Sequence, residues 1–316
     1  MKLTTVIPAY KSKYLSDLLV ALSNQTVKPD RVIFSDDSPD RSFTTALSSE
    51  SAKAVRAHLN IEVIQGPRRG ATANWRHLMN TWNGSTPLIH FLMDDDVIYP
   101  EFYERHLAVH SGDGVNCTVS RRWTAVESGQ PIGQLPRPEQ VAKHPERTLA
   151  LGADFVFAST IPSCNNWFGE LSNCVLNVKG AQLLDKSSLG EISFEGLGDI
   201  GLFIAASVDK PLGYINETLS SFRLNSHQNS QNPNSQDSKR AHVAWIALAL
   251  ASRRLGKLSQ SQVIQSMLTI NRVITLRFAG LPDMKGYFDA FPGLIAADPT
   301  AEANFLHWWN AYVTKQ

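Results

Sequence analysis

Cysteine is scarce in this chain: Cys117, Cys164 and Cys174 are the only three in 316 residues. An odd number, at spacings unlike a zinc site, points to reduced thiols in a cytosolic protein. No uninterrupted apolar run approaches bilayer length, and the apolar part of Met1 to Pro8 is too short for a signal peptide. The expected setting is the cytoplasm, with peripheral contact at the inner face of the plasma membrane left open. Excess charge is missing too. Lys plus Arg number 30 against 29 Asp plus Glu, a formal net charge of +1. That gives no global field for attracting nucleic acid, so any anion site must be local. No Gly-x-Gly-x-x-Gly follows the first apolar segment and no Walker loop is present, which disfavours a dinucleotide-binding domain and an NTPase.

What is present centres on Leu88-Ile89-His90-Phe91-Leu92-Met93-Asp94-Asp95-Asp96. A short apolar run bounded by Pro87 and Pro100 reads as a buried strand of a mostly parallel sheet. Three carboxylates cannot share that strand's interior, because each unpaired buried charge costs on the order of several kcal/mol. They belong at its C-terminal end, facing the crevice where open α/β sheets bind ligands. Adjacent like charges need a shared cation, and hard oxygen ligands suit Mg2+ or Mn2+. Such a cation would in turn hold a diphosphate. The alternative for the triplet is a solvated acidic turn.

Thr4 to Ile7 is β-branched and apolar and ends at Pro8-Ala9-Tyr10, a first strand entering a loop. Leu15, Leu18, Leu19 and Leu22 then recur at helical spacing, and Arg31 to Ser35 begins a second strand. In this βαβ unit the second strand also ends in acids, Asp36 and Asp37, on the same edge of the sheet. Asp37 is placed to accept hydrogen bonds from a base or ribose. Glu62 to Ile64 reads as a third strand. The loop Gly66-Pro67-Arg68-Arg69-Gly70 follows, whose arginines either reach a diphosphate or stay solvated, and then a helix through Asn74 to Met79.

Val6-Ile7-Pro8-Ala9-Tyr10, Phe34-Ser35-Asp36-Asp37-Ser38, Gly70 to Arg76 and Phe91 to Asp96, in that order, resemble the family 2 glycosyltransferases of GT-A fold. Asn166-Trp167-Phe168-Gly169-Glu170-Leu171-Ser172 is similar to the Asn-x-x-Gly-Glu-Pro-Ser stretch of a bacterial branch of that family, with Leu171 replacing proline. Gly196-Leu197-Gly198-Asp199-Ile200-Gly201-Leu202 resembles its Glu-Asp or Gly-Asp motif, and Leu219 to Arg223 its closing strand. The resemblance extends over residues 3–230. It implies an α/β GT-A domain over 1–230, with a nucleotide-binding half (1–100) and an acceptor half (101–230), and leaves a C-terminal helical region over 231–316.

The resemblance also implies a chemistry. A metal-dependent, inverting enzyme would move a sugar from a nucleoside diphosphate to the hydroxyl of a glycan or lipid-linked glycan, in cell-surface polysaccharide assembly. Pro8, Ala9, Tyr10 and Asp37 would bind the nucleoside, with Arg69, Asn74, Asp94 and Asp95 completing the donor site. The Asp-x-Asp role falls to the triplet in one of two registers: Asp95 with Asp96, or Asp94 with Asp96. Asp199 matches the family's general base, with Glu195 in reserve; otherwise Asp199 caps a helix. Relatives often carry a histidine where this chain has Asn225, and His227 nearby is the substitute metal ligand or a solvated side chain. Trp167 and Glu170 are assigned to the acceptor, although Trp167, like Trp123 and Phe168, is also a candidate for the core. Two other functions share the fold: an idle nucleotide- or glycan-binding module, and a sugar nucleotidyltransferase.

Gln228 to Ser238, rich in Asn, Gln and Ser, reads as a lid over the donor. Beyond it Val243, Ile246, Leu248 and Leu250, then Val263, Met267, Ile270, Val273 and Ile274, recur at helical spacing. Trp308, Trp309 and Tyr312 either pack against the protein, including a second copy in a homodimer, or rest on a membrane.

Overall fold

A computed structural model of the chain describes residues 1–224 and 235–314. Its first elements are β1 (Leu3–Ala9), α1 (Leu15–Ser23), β2 (Arg31–Asp36), α2 (Ser42–Leu47), α3 (Glu50–Arg56), β3 (Ile61–Gln65), α4 (Ala71–Trp82) and β4 (Leu88–Phe91). Next come β5 (Val97–Ile98), α5 (Phe102–His110), β6 (Cys117–Ala125), β7 (Pro131–Gln134), α6 (Glu139–Ala142), β8 (Thr148–Leu151), α7 (Ala153–Thr160), β9 (Cys174–Asn177) and α8 (Val178–Lys186). The last are β10 (Ser188–Leu189), β11 (Ile192–Ser193), α9 (Gly198–Ala206), β12 (Leu212–Arg223), α10 (Gln236–Arg254), α11 (Gln260–Phe278), α12 (Lys285–Ile295) and α13 (Pro299–Thr314).

These elements divide into two units. The first holds Met1–Leu151, Phe168–Asp185 and the segment from Asp209 through β12. Its ten-stranded sheet runs β3-β2-β1-β4-β9-β6-β12-β5, with β7 beside β6 and β8 beside β12. Strands β3, β2, β1 and β4 are parallel, as the βαβ reading requires. The expectation of a mostly parallel sheet holds for that half only. Past β4 the pairs β4–β9, β9–β6, β12–β5 and β12–β8 are antiparallel, and β6–β12 alone is parallel. Six of the seven residues of β1 are buried because strands flank it on both sides and helices cover both faces. Leu15, Leu18, Leu19 and Leu22 of α1 fill the core with Ile7, Val32, Phe34 and Leu88, which is why their spacing is helical. On α4, Trp75 stacks on Phe91 with ring centroids 4.5 Å apart.

The second unit comprises Gly152–Trp167, Lys186–Val208 and, among the described residues, 235–314. The boundary expected at residue 230 placed its first two segments with the sheet. Their packing explains the difference: α7 touches α9, and β10 and β11 lie against α10. The Trp309 indole N–H donates to the Ser193 carbonyl at 2.9 Å. Trp309 is fully buried and Tyr312 nearly so, and both are core, while the half-buried Trp308 ring fills the space beside Gly286. Among the described residues no helix is long and apolar enough to cross a membrane.

Candidate active site

The C-terminal ends of β1, β2 and β4 lie side by side, with Pro8 opposite Ser35 and Ala9 opposite Asp36. Asp36 is buried and capped by the Ser38 and Thr44 amides and hydroxyls. Burial alone would raise its pKa; the hydrogen bonds from Ser38 and Thr44 overcome this and lower it. Asp36 therefore holds the turn after β2. Asp37, expected at the nucleoside, is the acid left at that edge, and its Oδ1 accepts from the Arg68 amide at 2.5 Å. Tyr10 projects into solvent, 55% exposed. Arg69 is exposed and makes no ion pair with a described residue. Asn74 turns inward: its Oδ1 accepts from the Ser35 hydroxyl and its Nδ2 donates to the Ser35 carbonyl, so it fastens α4 to β2.

The three acids after β4 are buried and differ in what holds them. Asp94 Oδ2 accepts the backbone N–H groups of Tyr10 at 2.7 Å and Lys11 at 2.6 Å, which pins the loop after β1. Burial lifts its pKa to about 6; the charge on Asp95 adds to the shift and the two amides oppose it. Asp95 Oδ2 accepts the Lys11 ammonium at 2.7 Å. Asp96 is 2% exposed; its Oδ1 accepts the Arg223 N–H at 3.1 Å, whereas Oδ2 is buried with no hydrogen-bond partner. Burial, then the neighbouring Asp95 charge, pushes its pKa well above the ordinary carboxylate value; the Ser172 hydroxyl and the Arg223 amide oppose the shift and Glu170 adds to it.

Among the described residues two basic side chains lie at this end, and neither was assigned to the site from the sequence; Lys11 pairs with an acid of the triplet and Arg223 with Asp17. Lys11 is one. Arg223, at the end of β12, donates from Nε to the Asp95 carbonyl (2.9 Å), from one terminal nitrogen to the Glu127 carbonyl (2.7 Å) and from the other to Asp17 (2.8 Å). Its guanidinium lies 4.6 Å from the Tyr14 ring centre. Lys11 was detectable as the cation following Pro8-Ala9-Tyr10. Arg223 carried only its place in the closing strand.

Glu170, assigned to the acceptor, forms a two-pronged ion pair with the buried Arg122, at 2.8 and 2.5 Å, and its backbone opens the turn that carries Ser172. The Ser172 hydroxyl accepts the Met93 N–H at 3.1 Å, and its carbonyl lies 3.1 Å from His90 Nε2. The motif therefore buttresses the strand end that bears the triplet.

The remaining candidates belong to the second unit. Asp199 is the second residue of α9; the cap is Leu197, whose side chain makes no capping bond, so Asp199 does not play the capping role. Glu195 is half-buried, its N–H donating to the Ser193 hydroxyl. Gly196 has a φ of +98° and the α10 backbone 2.6 Å from where a Cβ would lie, a close approach that only glycine allows, whereas Gly198 faces open space. Trp167 is 2% exposed, donates to the Ser159 hydroxyl and meets Phe155 edge-on; its ring is core, which corrects its assignment as a sugar platform. His227 and the lid residues 228–234 lie outside the described residues, while 235–238 start α10, with Ser235 as its cap.

Among the described residues no group of three His, Cys, Asp or Glu side chains is arranged to hold a metal. Two carboxylates and ligand phosphates suffice for Mg2+, which keeps several waters. The partnerless Asp96 Oδ2 beside Asp95 fits such an ion: hard, anionic and lacking a donor.

A parallel strand edge bearing acids from two strands, continued into a mixed sheet, defines a GT-A nucleotide-sugar transferase architecture. S. aureus TarS residues 1–349 share it, with a TM-score of 0.60 at 15% identity over 99% of this chain and 90% of that one. The same protein in complex with UDP-GlcNAc gives 0.57 at 14% identity, covering 100% and 93%, and in complex with UDP 0.58 at 15%, covering 99% and 90%. Residues 4–165 match glycosyl transferase family 2, and the chain belongs to that family. No curated protein sequence matches it.

Proposed function

We propose that this family 2 member transfers a sugar, with inversion, from a nucleoside diphosphate to an acceptor hydroxyl, using Mg2+ or Mn2+. The observation that carries the reading is Asp96, a buried carboxylate with one oxygen unpartnered at the ligand-binding edge of the sheet. Asp95 and Asp96 would hold the cation, which when bound stabilises negative charge on the leaving diphosphate. Asp94 is the lesser candidate, because Oδ2 already serves two amides. Asp37 and the loop from Pro8 to Tyr10 receive the nucleoside, and Arg69 is free to reach the diphosphate. Asp199 takes the acceptor proton, with Glu195 second in line. A glycan or lipid-linked glycan of the cell surface is the proposed acceptor, met in the cytoplasm or at the inner face of the membrane.

The first test is a thermal-shift screen of UDP, GDP, CDP and dTDP, each with Mn2+, Mg2+ or EDTA. A nucleotide at 100 times its dissociation constant stabilises the fold by about 2.7 kcal/mol. The UDP complexes of the similar S. aureus protein make uridine the first base to try. Metal-dependent stabilisation by one diphosphate is expected; no shift with any of them overturns the reading. Asp199→Asn should then keep donor binding while turnover is lost.

A further inference from the structure

The acidic strand end already has a cation of its own. Lys11 is tied to the triplet at two points: its backbone N–H donates to Asp94 and its ammonium to Asp95 Oδ2 at 2.7 Å. Because Tyr10 N–H shares the same Asp94 oxygen, the loop backbone is fixed and the flexible four-carbon side chain is the part that can move. That side chain is 29% exposed, against 9% for Asp95, so the ammonium has a way out on the solvent side. A divalent ion on the same Asp95 oxygen would stand against the ammonium at contact distance, where like charges repel strongly in a half-buried site. The two cations therefore compete for Asp95.

Resting on the donor-site reading above, we infer that Lys11 is a resident counter-ion: it neutralises Asp95 until a divalent cation arrives, then turns its ammonium to the donor's diphosphate. One residue thus opposes binding of the metal alone and favours binding of the metal with nucleotide. The arrangement disfavours loading the acids with metal before a donor is present, and it makes Lys11 a diphosphate-binding residue of the loaded site.

The two roles predict effects of opposite sign. Mn2+ alone, followed by the electron paramagnetic resonance signal of the free ion, should bind Lys11→Met roughly three- to tenfold more tightly than wild type. UDP titrated calorimetrically at saturating Mn2+ should bind Lys11→Met more weakly by a similar factor, and Lys11→Arg should restore much of that loss because the charge returns. A merely structural lysine would move both affinities the same way. Unchanged Mn2+ affinity in Lys11→Met, or weakening of both ligands, overturns the inference while the donor site stands. A wild type that takes up neither Mn2+ nor UDP removes the donor-site reading and this inference with it. Should Lys11→Met not fold, judged by its melting transition, Lys11→Gln provides the same comparison.

Discussion

Replacing Asp96 by Asn should make the protein more stable and less able to bind its donor. The wild-type carboxylate is buried, faces the charges of Asp95 and Glu170, and leaves Oδ2 without a hydrogen bond while Oδ1 accepts the Arg223 amide. Asparagine keeps the shape and can keep that bond while turning an amide N–H towards neighbouring acids. A buried polar atom without a partner costs about 1–3 kcal/mol, and relief of like-charge repulsion adds to the gain, so about 1–2 kcal/mol of added stability is a conservative figure. The pH dependence follows from the direction of the shift. A carboxylate whose folded pKa is raised penalises the native state above that pKa, and the penalty fades as pH falls and the native state takes up the proton. The advantage of Asp96→Asn should therefore be largest near neutral pH and shrink in acid. Urea unfolding of both proteins across this range measures it, and the UDP and Mn2+ thermal shift measures the loss of binding. A less stable variant, a gap that does not change with pH, or an undiminished metal-dependent UDP shift would refute the reasoning.

The buried histidines predict acid lability. Burial lowers the pKa of His90 to about 3 and of His110 to about 4, and carries His106 well below its ordinary value. A histidine with a depressed folded pKa stabilises the fold above its unfolded pKa and loses that contribution as pH falls towards the folded one. From about pH 7 to about pH 5 His90 and His110 should each cost about 2 kcal/mol and His106 acts in the same direction, partly offset by protonation of Asp94, which returns about 1 kcal/mol, and of Asp96. A urea midpoint that does not fall over that range contradicts this. Trp167→Ala should lower stability by about 3–5 kcal/mol, the cost of emptying a buried aromatic site; a variant as stable as wild type but with a raised acceptor KM would return Trp167 to the acceptor.

The parts of the fold that are local were legible in the sequence. Leucine spacing gave α1, β-branched runs gave β1 and β2, and acids closing apolar runs gave the ligand edge, because a carboxylate without hydrogen-bond partners in the middle of β2 or β4 would be too costly to bury, whereas Asp36 at the end of β2 reaches the Ser38 and Thr44 donors of the turn. Long-range pairings were not legible. Nothing in the spacing tells that Arg223 reaches back to the carbonyl of Asp95, or that Arg122 answers Glu170. Composition does not change at residues 152 or 186, so segments that cross from the sheet to the helical unit read as one domain. Trp167 and Phe168 look alike in sequence, yet they fall in different units and both are buried.

The triplet itself shows why its register stayed open. Three identical carboxylates in a row carry no sequence signal to separate them; their surroundings do. Asp94 meets the amides of the loop after β1, Asp95 meets an ammonium, and Asp96 meets one amide and keeps one oxygen unpaired. A two-acid motif with strict spacing would spend one acid, Asp94, on holding the loop. The extra carboxylate in this chain separates those tasks: one acid fixes the backbone that carries Lys11, the next pairs with that lysine, and Asp96 keeps an oxygen that a ligand can still satisfy.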